Sequence, residues 1–375
     1  MRNPAETDGH VHLNLYHQHW TRSILPGITP KLRLFSDYSL LNHSTDYLLQ
    51  LFQQSGPRPA GFIGVIYQED TALRTILAER KIPAVNISSA RPPVEIPVVC
   101  VDNRAVGRMA AEHLMELGPR QFAFLDVGEN RLSQLRFEGF RDRIQETFPK
   151  AEVPRLGGGE EIFRPQLMAL PRPAALFCAT DNRARAAAKV ALSLGLKIPA
   201  DLAILGVDND PFECEMTRVP LSSVAIPFEK IGAKAMEVLL TLIKGEVPSM
   251  HTIEIPPSGV VTRLSSDPMV FEDELVNRAV RFARQPQSHT INVAMIAEAL
   301  GISRRTLETR FRKAGAGTVH SMIHEIRIQR AATLLKETRL TVAQIAREVG
   351  ILDLSRFSQL FQKRFGTTPG QYRKE

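Results

Sequence analysis

The chain has little cysteine and no arrangement of it that suggests chemistry. Cys100, Cys178 and Cys214 are its only three, odd in number, scattered and free of CxxC spacing. That excludes a disulfide-stapled scaffold or a zinc framework and fits reduced, buried thiols. Long apolar runs are missing too, since none approaches the roughly 18 residues a membrane span needs. The opening stretch Met1–His10 is polar and lacks the basic, apolar and cleavage-site segments of a secretory signal. A cytoplasmic protein with no membrane partner is expected. No GxGxxG follows any strand-like segment, and Gly157-Gly-Gly159 lies in a proline-flanked loop, so no nucleotide cofactor is expected. His10, His12, His17 and His19 form HxH pairs without a third convergent ligand, so no metal is expected either.

What is present is 375 residues, 43% hydrophobic and 23% charged. This is ordinary globular composition, with length for two or three folding units. Charge divides the chain more sharply than composition does. Residues 1–266 hold 29 basic and 29 acidic side chains, whereas residues 267–375 hold 18 basic and 11 acidic, which is the whole formal charge of +7. A neutral body followed by a basic module points to a polyanionic partner for the module and a different ligand for the body.

In the body, short apolar segments alternate with helix-length ones. Val11–Leu15, Gly61–Tyr67, Ala84–Ile87, Pro97–Val101, Gln121–Val127, Ala174–Ala179 and Leu202–Val207 read as strands. Thr71–Lys81, Ala105–Leu117, Ser133–Thr147, Asn182–Leu194 and Lys230–Lys244 read as helices between or after them. The alternation predicts an α/β domain over 1–265: two lobes, each a parallel sheet with flanking helices. After the polar turn Leu264-Ser-Ser-Asp-Pro268 the pattern becomes continuously helical, predicting an all-α domain over 266–375.

That second domain contains an internal repeat. Met295-Ile-Ala-Glu-Ala-Leu-Gly-Ile302 matches Gln344-Ile-Ala-Arg-Glu-Val-Gly-Ile351 at an offset of 49 residues. With one residue inserted, Leu307 and Phe311 then fall opposite Phe357 and Phe361. Each copy reads as a short helix, a glycine turn and a second helix, the helix-turn-helix arrangement. Val319–Lys336 reads as a long connecting helix that would hold both second helices on one side. One turn of B-DNA is about 34 Å, so both could enter successive major-groove segments of one duplex.

These residues carry a resemblance. The string from Gln344 to Ile351, followed by Phe357-Ser-Gln-Leu-Phe-Gln-Lys-Arg-Phe-Gly-Thr-Thr-Pro-Gly-Gln-Tyr-Arg373, is similar to AraC-type DNA-binding domains over essentially all of 270–375. The resemblance implies base-edge contacts from Arg305, Glu308 and Thr309 in the first unit, and from Ser355, Ser358 and Gln359 in the second. Arg304, Arg312, Lys313, Lys363 and Arg364 read as phosphate contacts, or simply as a solvated face. Departures are Thr309 and Gln359 where Arg is common, Arg356 for an aromatic, and Ile351-Leu352 for Phe-Ser.

The body resembles the effector-binding domain of LacI-type regulators. The resemblance is carried by Val101-Asp-Asn-Arg-Ala-Val-Gly-Arg-Met-Ala-Ala-Glu-His-Leu114, Leu176-Phe-Cys-Ala-Thr-Asp-Asn182 and Leu196-Lys-Ile-Pro-Ala-Asp-Leu-Ala-Ile-Leu-Gly-Val-Asp-Asn-Asp210. Such a sensor followed by an AraC-type reader is the arrangement of the XylR-like family, which implies a small sugar effector (a xylose-like pentose), double-stranded DNA and a homodimer, with RNA polymerase as a further partner. In this fold the ligand lies between the lobes at the C-terminal ends of strands. Asp102, Asn103, Asp181 and Asp208 stand there, and carboxylates accept polyol hydroxyls; an Asp after a strand also reads as a helix cap. Arg136 matches the family position that clamps ligand oxygens with a fork of donors. Trp20 follows the first strand, where an aromatic ring could pack on a sugar. Two other readings stand beside this one: a Cys178-dependent hydrolase tethered to DNA, and a constitutive DNA binder whose body only dimerises.

Overall fold

The computed structural model describes residues 7–15, 22–33, 38–54, 56–90, 95–118, 120–128, 130–267, 273–284, 291–338 and 340–374. The chain forms two compact units, 1–266 and 267–375. Strands of the first unit are β1 (His10–Asn14), β2 (Ser39–Asn42), β3 (Gly61–Gly64), β4 (Ala84–Asn86), β5 (Val98–Val101), β6 (Gln121–Leu125), β7 (Arg155–Leu156), β8 (Ala174–Cys178), β9 (Leu202–Asp208), β10 (Ser222–Ala225), β11 (Thr252–Ile255) and β12 (Gly259–Val261). Its helices are α1 (Leu25–Arg33), α2 (Thr45–Gln53), α3 (Thr71–Glu79), α4 (Asn103–Met115), α5 (Arg131–Thr147), α6 (Glu160–Ala169), α7 (Asp181–Ser193), α8 (Pro211–Glu215) and α9 (Phe228–Ile243).

One sheet runs β11-β5-β4-β3-β1-β2 and is parallel throughout. The other runs β12-β10-β9-β8-β6-β7, with β12 an antiparallel edge. The central strands β3, β5 and β8 are buried on both faces, as parallel sheets covered by helices require. The chain passes between the sheets three times: after β5, between β10 and α9, and between β11 and β12. Strand ends therefore converge on one cleft.

Two pairs of helices touch backbone to backbone. A Cβ on Gly107 of α4 would lie 2.1 Å from the Arg136 carbonyl oxygen, and one on Gly139 of α5 would lie 2.1 Å from that of Arg104. Gly27 of α1 and Gly232 of α9 make a similar crossing, at 1.9 Å from Glu229 O and 2.3 Å from Ile24 O. The first crossing sets the start of α4 beside the inner face of α5.

The sequence reading misses α1, α2, α6 and α8, the short edge strands β2 and β7, and the inner strand β10. Gly27 and Pro30 interrupt α1 and Pro165 interrupts α6, which lowers helix propensity. Burial of Ile28 and Leu32, and of Phe163 and Leu167, makes these segments helical through tertiary packing.

The second unit contains α10 (Glu274–Ala283), α11 (Val293–Ala299), α12 (Arg304–Lys313), α13 (Val319–Glu337), α14 (Val342–Glu348), α15 (Leu354–Phe365) and α16 (Pro369–Lys374). Its two halves repeat in detail. Gly301 and Gly350 have φ of 67° and 74°. The next residue in each copy donates back into the first helix, Ile302 N to Ala297 O and Ile351 N to Ala346 O. Two apolar cores result. One gathers Ile296, Leu307 and Phe311 around Met322 and Ile323; the other gathers Ile345, Phe357 and Phe361 around Ile328, Ala331 and Leu335. The long helix α13 gives its first half to one core and its second half to the other.

Candidate functional site

A chain of polar side chains crosses the cleft. Ser89, in the loop after β4, accepts from Asn103 Nδ2 at 2.8 Å, and Asn103 Oδ1 accepts from Arg136 Nε at 2.9 Å. Arg136 Nη1 donates to the Ala179 carbonyl, and Nη2 lies 3.9 Å from Asp208 Oδ1. Asn103 and Arg136 are 1% and 5% exposed. The cluster thus joins the loop of one sheet to the strand ends of the other and retains an acid–guanidinium pair deep in the cleft.

Burial pushes both nearby carboxyls up. Asp208 rises to about 6, with Arg136 pulling it back, and Asp181 rises to about 8, through burial and then through the charge of Asp208. Of the two, Asp208, which faces Arg136, is therefore the more readily ionised and Asp181 the more readily protonated. The backbone at this corner is strained: Asp208 has φ 110° and Asn209 φ 52°, which side-chain-bearing residues rarely adopt. Three contacts hold the turn. Arg263 Nη2 donates to Asn209 Oδ1 at 2.9 Å, Asn209 N to Ser223 Oγ at 2.9 Å, and Asp210 N to Asp181 Oδ2 at 2.8 Å.

The sequence candidates therefore separate. Arg136, Asn103 and Asp208 come together. Asp102 caps α4, accepting from Ala105 N at 2.9 Å. Asp181 opens α7 behind the Thr180 cap and is turned onto the β9–α8 loop and α8, where Cys214 Sγ lies 3.4 Å from its Oδ2. Trp20, His17 and His19 lie outside the described residues. His12 is buried, with Nε2 3.1 Å from Asp8 Oδ2. Ser89 and Arg263 were missed. Ser88-Ser89 follows an apolar strand just as Asp102 does, so the same positional rule could have found it; Arg263 follows β12 and carried no such signal. Cys178 is fully buried within β8 and its thiol is pushed up by burial, which leaves the hydrolase reading without an accessible nucleophile.

The Asp181 assignment has a measurable consequence. Its carboxyl sits above the ordinary value of 3.8, so the stability it contributes is complete below that value and is lost as pH rises toward 8. Asp181→Asn keeps an acceptor for Asp210 N and removes the titration. Between pH 5 and 8 the variant should gain on the wild type, by at most about 1.4 kcal/mol per pH unit. Urea unfolding across that range tests this; parallel curves would mean that Asp181 is already ionised in the native protein.

In the second unit, Ser303 caps α12 and Asp353 caps α15. Arg305, Thr309, Arg312, Lys313, Ser355, Gln359 and Lys363 are exposed, while Glu308 and Ser358 are half-buried. Arg304 is paired with Glu308 at 2.8 Å, and Arg364 with Glu325 of α13 at 2.7 Å. Between the two cores lies Arg327, which donates from Nη2 to Ile291 O at 2.9 Å and from Nη1 to Gly350 O at 3.0 Å. One guanidinium thereby ties the lead-in of the first unit to the turn of the second.

Residues 111–266 match the family model of a periplasmic binding protein-like domain, and residues 296–375 that of a helix-turn-helix domain. The chain is 30% identical over 322 residues to the xylose operon regulatory protein of Escherichia coli (strain K12), covering 81% of this chain and 82% of that one. It is also 30% identical over 321 residues to the protein of the same name in Haemophilus influenzae, covering 81% and 83%. A solved structure described as the xylose-binding transcription activator xylR aligns over 97% of both chains, with 26% identity and a TM-score of 0.59. A transcriptional regulator CelR-cellobiose complex shares the fold at 21% identity and a TM-score of 0.58, over 70% of this chain and 86% of that one.

Fold and sites together define a DNA-binding transcription regulator: a two-lobed sensor followed by an AraC-type pair of helix-turn-helix units. The chain belongs to the family of xylose operon regulatory proteins. These relatives are transcription regulators by name. Among the described residues, no helix is long and apolar enough to cross a membrane.

For such a reader, Arg327→Met should leave both cores folded and loosen their relative placement. Binding to a duplex with both boxes at native spacing should fall about tenfold, the equivalent of one charge-assisted hydrogen bond. Discrimination against duplexes with one inserted base pair should shrink. A variant that loses affinity equally for every spacing would show that Arg327 does not set it.

Proposed function

We propose that this regulator responds to a pentose, with D-xylose the first candidate, held in the cleft by Arg136, Asp208 and Asn103. The Arg136–Asp208 pair, joined through Asn103 to Ser89 of the other lobe, is the observation that carries the reading. Its anion accepts ring hydroxyls, its fork of donors reaches ring and hydroxyl oxygens, and its connection to both lobes lets a ligand favour one lobe arrangement over another. Only that difference in affinity can shift the DNA-binding state. The relatives named for xylose support the choice of sugar class. Asp102 and Asp181 act in this reading as frame residues, capping α4 and holding the Asp208 corner.

The protein acts in the cytoplasm as a homodimer that sets its readers on repeated half-sites and presents them to RNA polymerase. Arg305, Glu308 and Thr309, and Ser355, Ser358 and Gln359, meet base edges. Arg312, Lys313 and Lys363 meet phosphates; Arg304 and Arg364 do so by leaving their carboxylate partners. Thermal unfolding with D-xylose, other pentoses and hexoses tests the sensor. A ligand at a hundred times its Kd adds about 2.7 kcal/mol, so one pentose should raise the transition clearly. No shift with any sugar would leave the body as a dimerisation unit only.

A further inference from the structure

The two helix-turn-helix units differ at the tips of their second helices. Ser303 and Asp353 are matching caps, each accepting from a first-turn backbone N–H. Counted from those caps, Arg304 and Arg305 of the first unit stand opposite Leu354 and Ser355 of the second. The single residue inserted between the turn glycine and the cap in the second copy is Leu352. Leu352 is 84% exposed and Leu354 44%; among the described residues of this unit, Met295 is the only other large apolar side chain so exposed. The nearby guanidinium is turned aside, since Arg356 Nη2 lies 3.2 Å from His324 Nε2 of α13. The second tip thus offers Leu354 and Ser355 where the first offers Arg304 and Arg305, with the inserted Leu352 just ahead of the cap.

The N-terminal residues of a recognition helix are the ones that meet base edges. A leucine there can neither donate nor accept, and the apolar group that the major groove displays is the 5-methyl of thymine. We infer that Leu352 and Leu354 are specificity residues that read thymine methyls, so that the second unit selects a thymine-bearing box by apolar contact while the first reads through polar groups. The inference rests on the assignment of α12 and α15 as groove-entering helices, and it covers surface continuous with that DNA-binding face.

The test uses the full-length protein and duplexes it selects from a random-sequence pool. Each thymine of a selected duplex is replaced singly by deoxyuridine, which lacks only the methyl, and affinity is read by fluorescence anisotropy at constant salt. Removing a contacted methyl should cost the wild type about fourfold and cost the Leu352→Ala/Leu354→Ala variant nothing. Leu354→Arg, copying the first unit, should bind with a salt slope steeper by about one and without the methyl dependence at its own contact. Retention of the duplex by the alanine variant keeps the DNA-binding reading intact, so the methyl result alone decides this inference. If no thymine methyl matters more to the wild type than to that variant, the inference is overturned. It is equally overturned if the variant binds every duplex as the wild type does yet fails to activate purified RNA polymerase, which would assign the leucines to a protein partner.

Discussion

Arg136→Met is expected to destabilise the sensor unit by about 3 kcal/mol or more and to abolish any stabilisation by sugar. The guanidinium is 5% exposed, donates to the Ala179 carbonyl and Asn103 Oδ1, and pairs with the Asp208 carboxylate at 3.9 Å. Methionine fills similar volume but leaves two acceptors unsatisfied and one anion buried without its partner. The Asp208 carboxyl, now held down only to about 6 by that arginine, would climb further. Adding Asp208→Asn removes the stranded charge, so the double variant should recover part of the stability and none of the sugar response. Urea unfolding and thermal shift on both variants read the two effects separately. If the double variant is no more stable than Arg136→Met, the two residues are not energetically coupled. Affinity for DNA without sugar should stay close to that of the wild type, because the reading unit has its own cores.

A single methyl at Gly139 should have a comparable effect from a place that touches no ligand. Its Cβ would lie 2.1 Å from the backbone oxygen of Arg104, and a carbonyl in the first turn of α4 cannot rotate away as a side chain can. The helices must separate, at a cost of about 3 kcal/mol. Separation also draws Asn103 at the start of α4 away from Arg136 on α5, breaking the 2.9 Å contact. Gly139→Ala should therefore lose both stability and the sugar-induced thermal shift. Gly195→Ala is the control: φ is 75° and nothing lies near the added carbon, so it should cost about 1 kcal/mol from backbone strain and leave the sugar response whole. A Gly139→Ala protein that responds to sugar like the wild type would show that the close crossing does not set the cleft geometry.

Much of the reading unit is legible in the amino-acid sequence. The repeat, its glycines and its paired apolar positions are local signals, because residues three or four apart on a helix share a face whatever surrounds them. The same holds for the strand alternation of the body, and for the rule that ligand-facing residues follow strands. That rule singled out Asn103 and Asp208, and the family resemblance singled out Arg136, three residues that the structure brings into contact. It did not separate Asp102 and Asp181 from them, because all four follow strands in the same way. Which carboxylate caps a helix, which is tied to a neighbouring loop and which meets a guanidinium depends on packing between segments far apart in the chain.

By itself the amino-acid sequence determined the division of the chain, the charge of each part, the duplicated helix-turn-helix pattern and the class of fold. Periodicity, turn chemistry and composition act within a few residues or over the chain as a whole. Tertiary structure alone decided that Ser89 completes the polar chain across the cleft, that Arg263 pins the strained corner at Asn209, that Arg327 spans both readers, and that Leu352 and Leu354 stand bare at one tip. Each of these is a contact, or the lack of one, set by the close approach of distant segments. Local sequence rules have no means of specifying such distances.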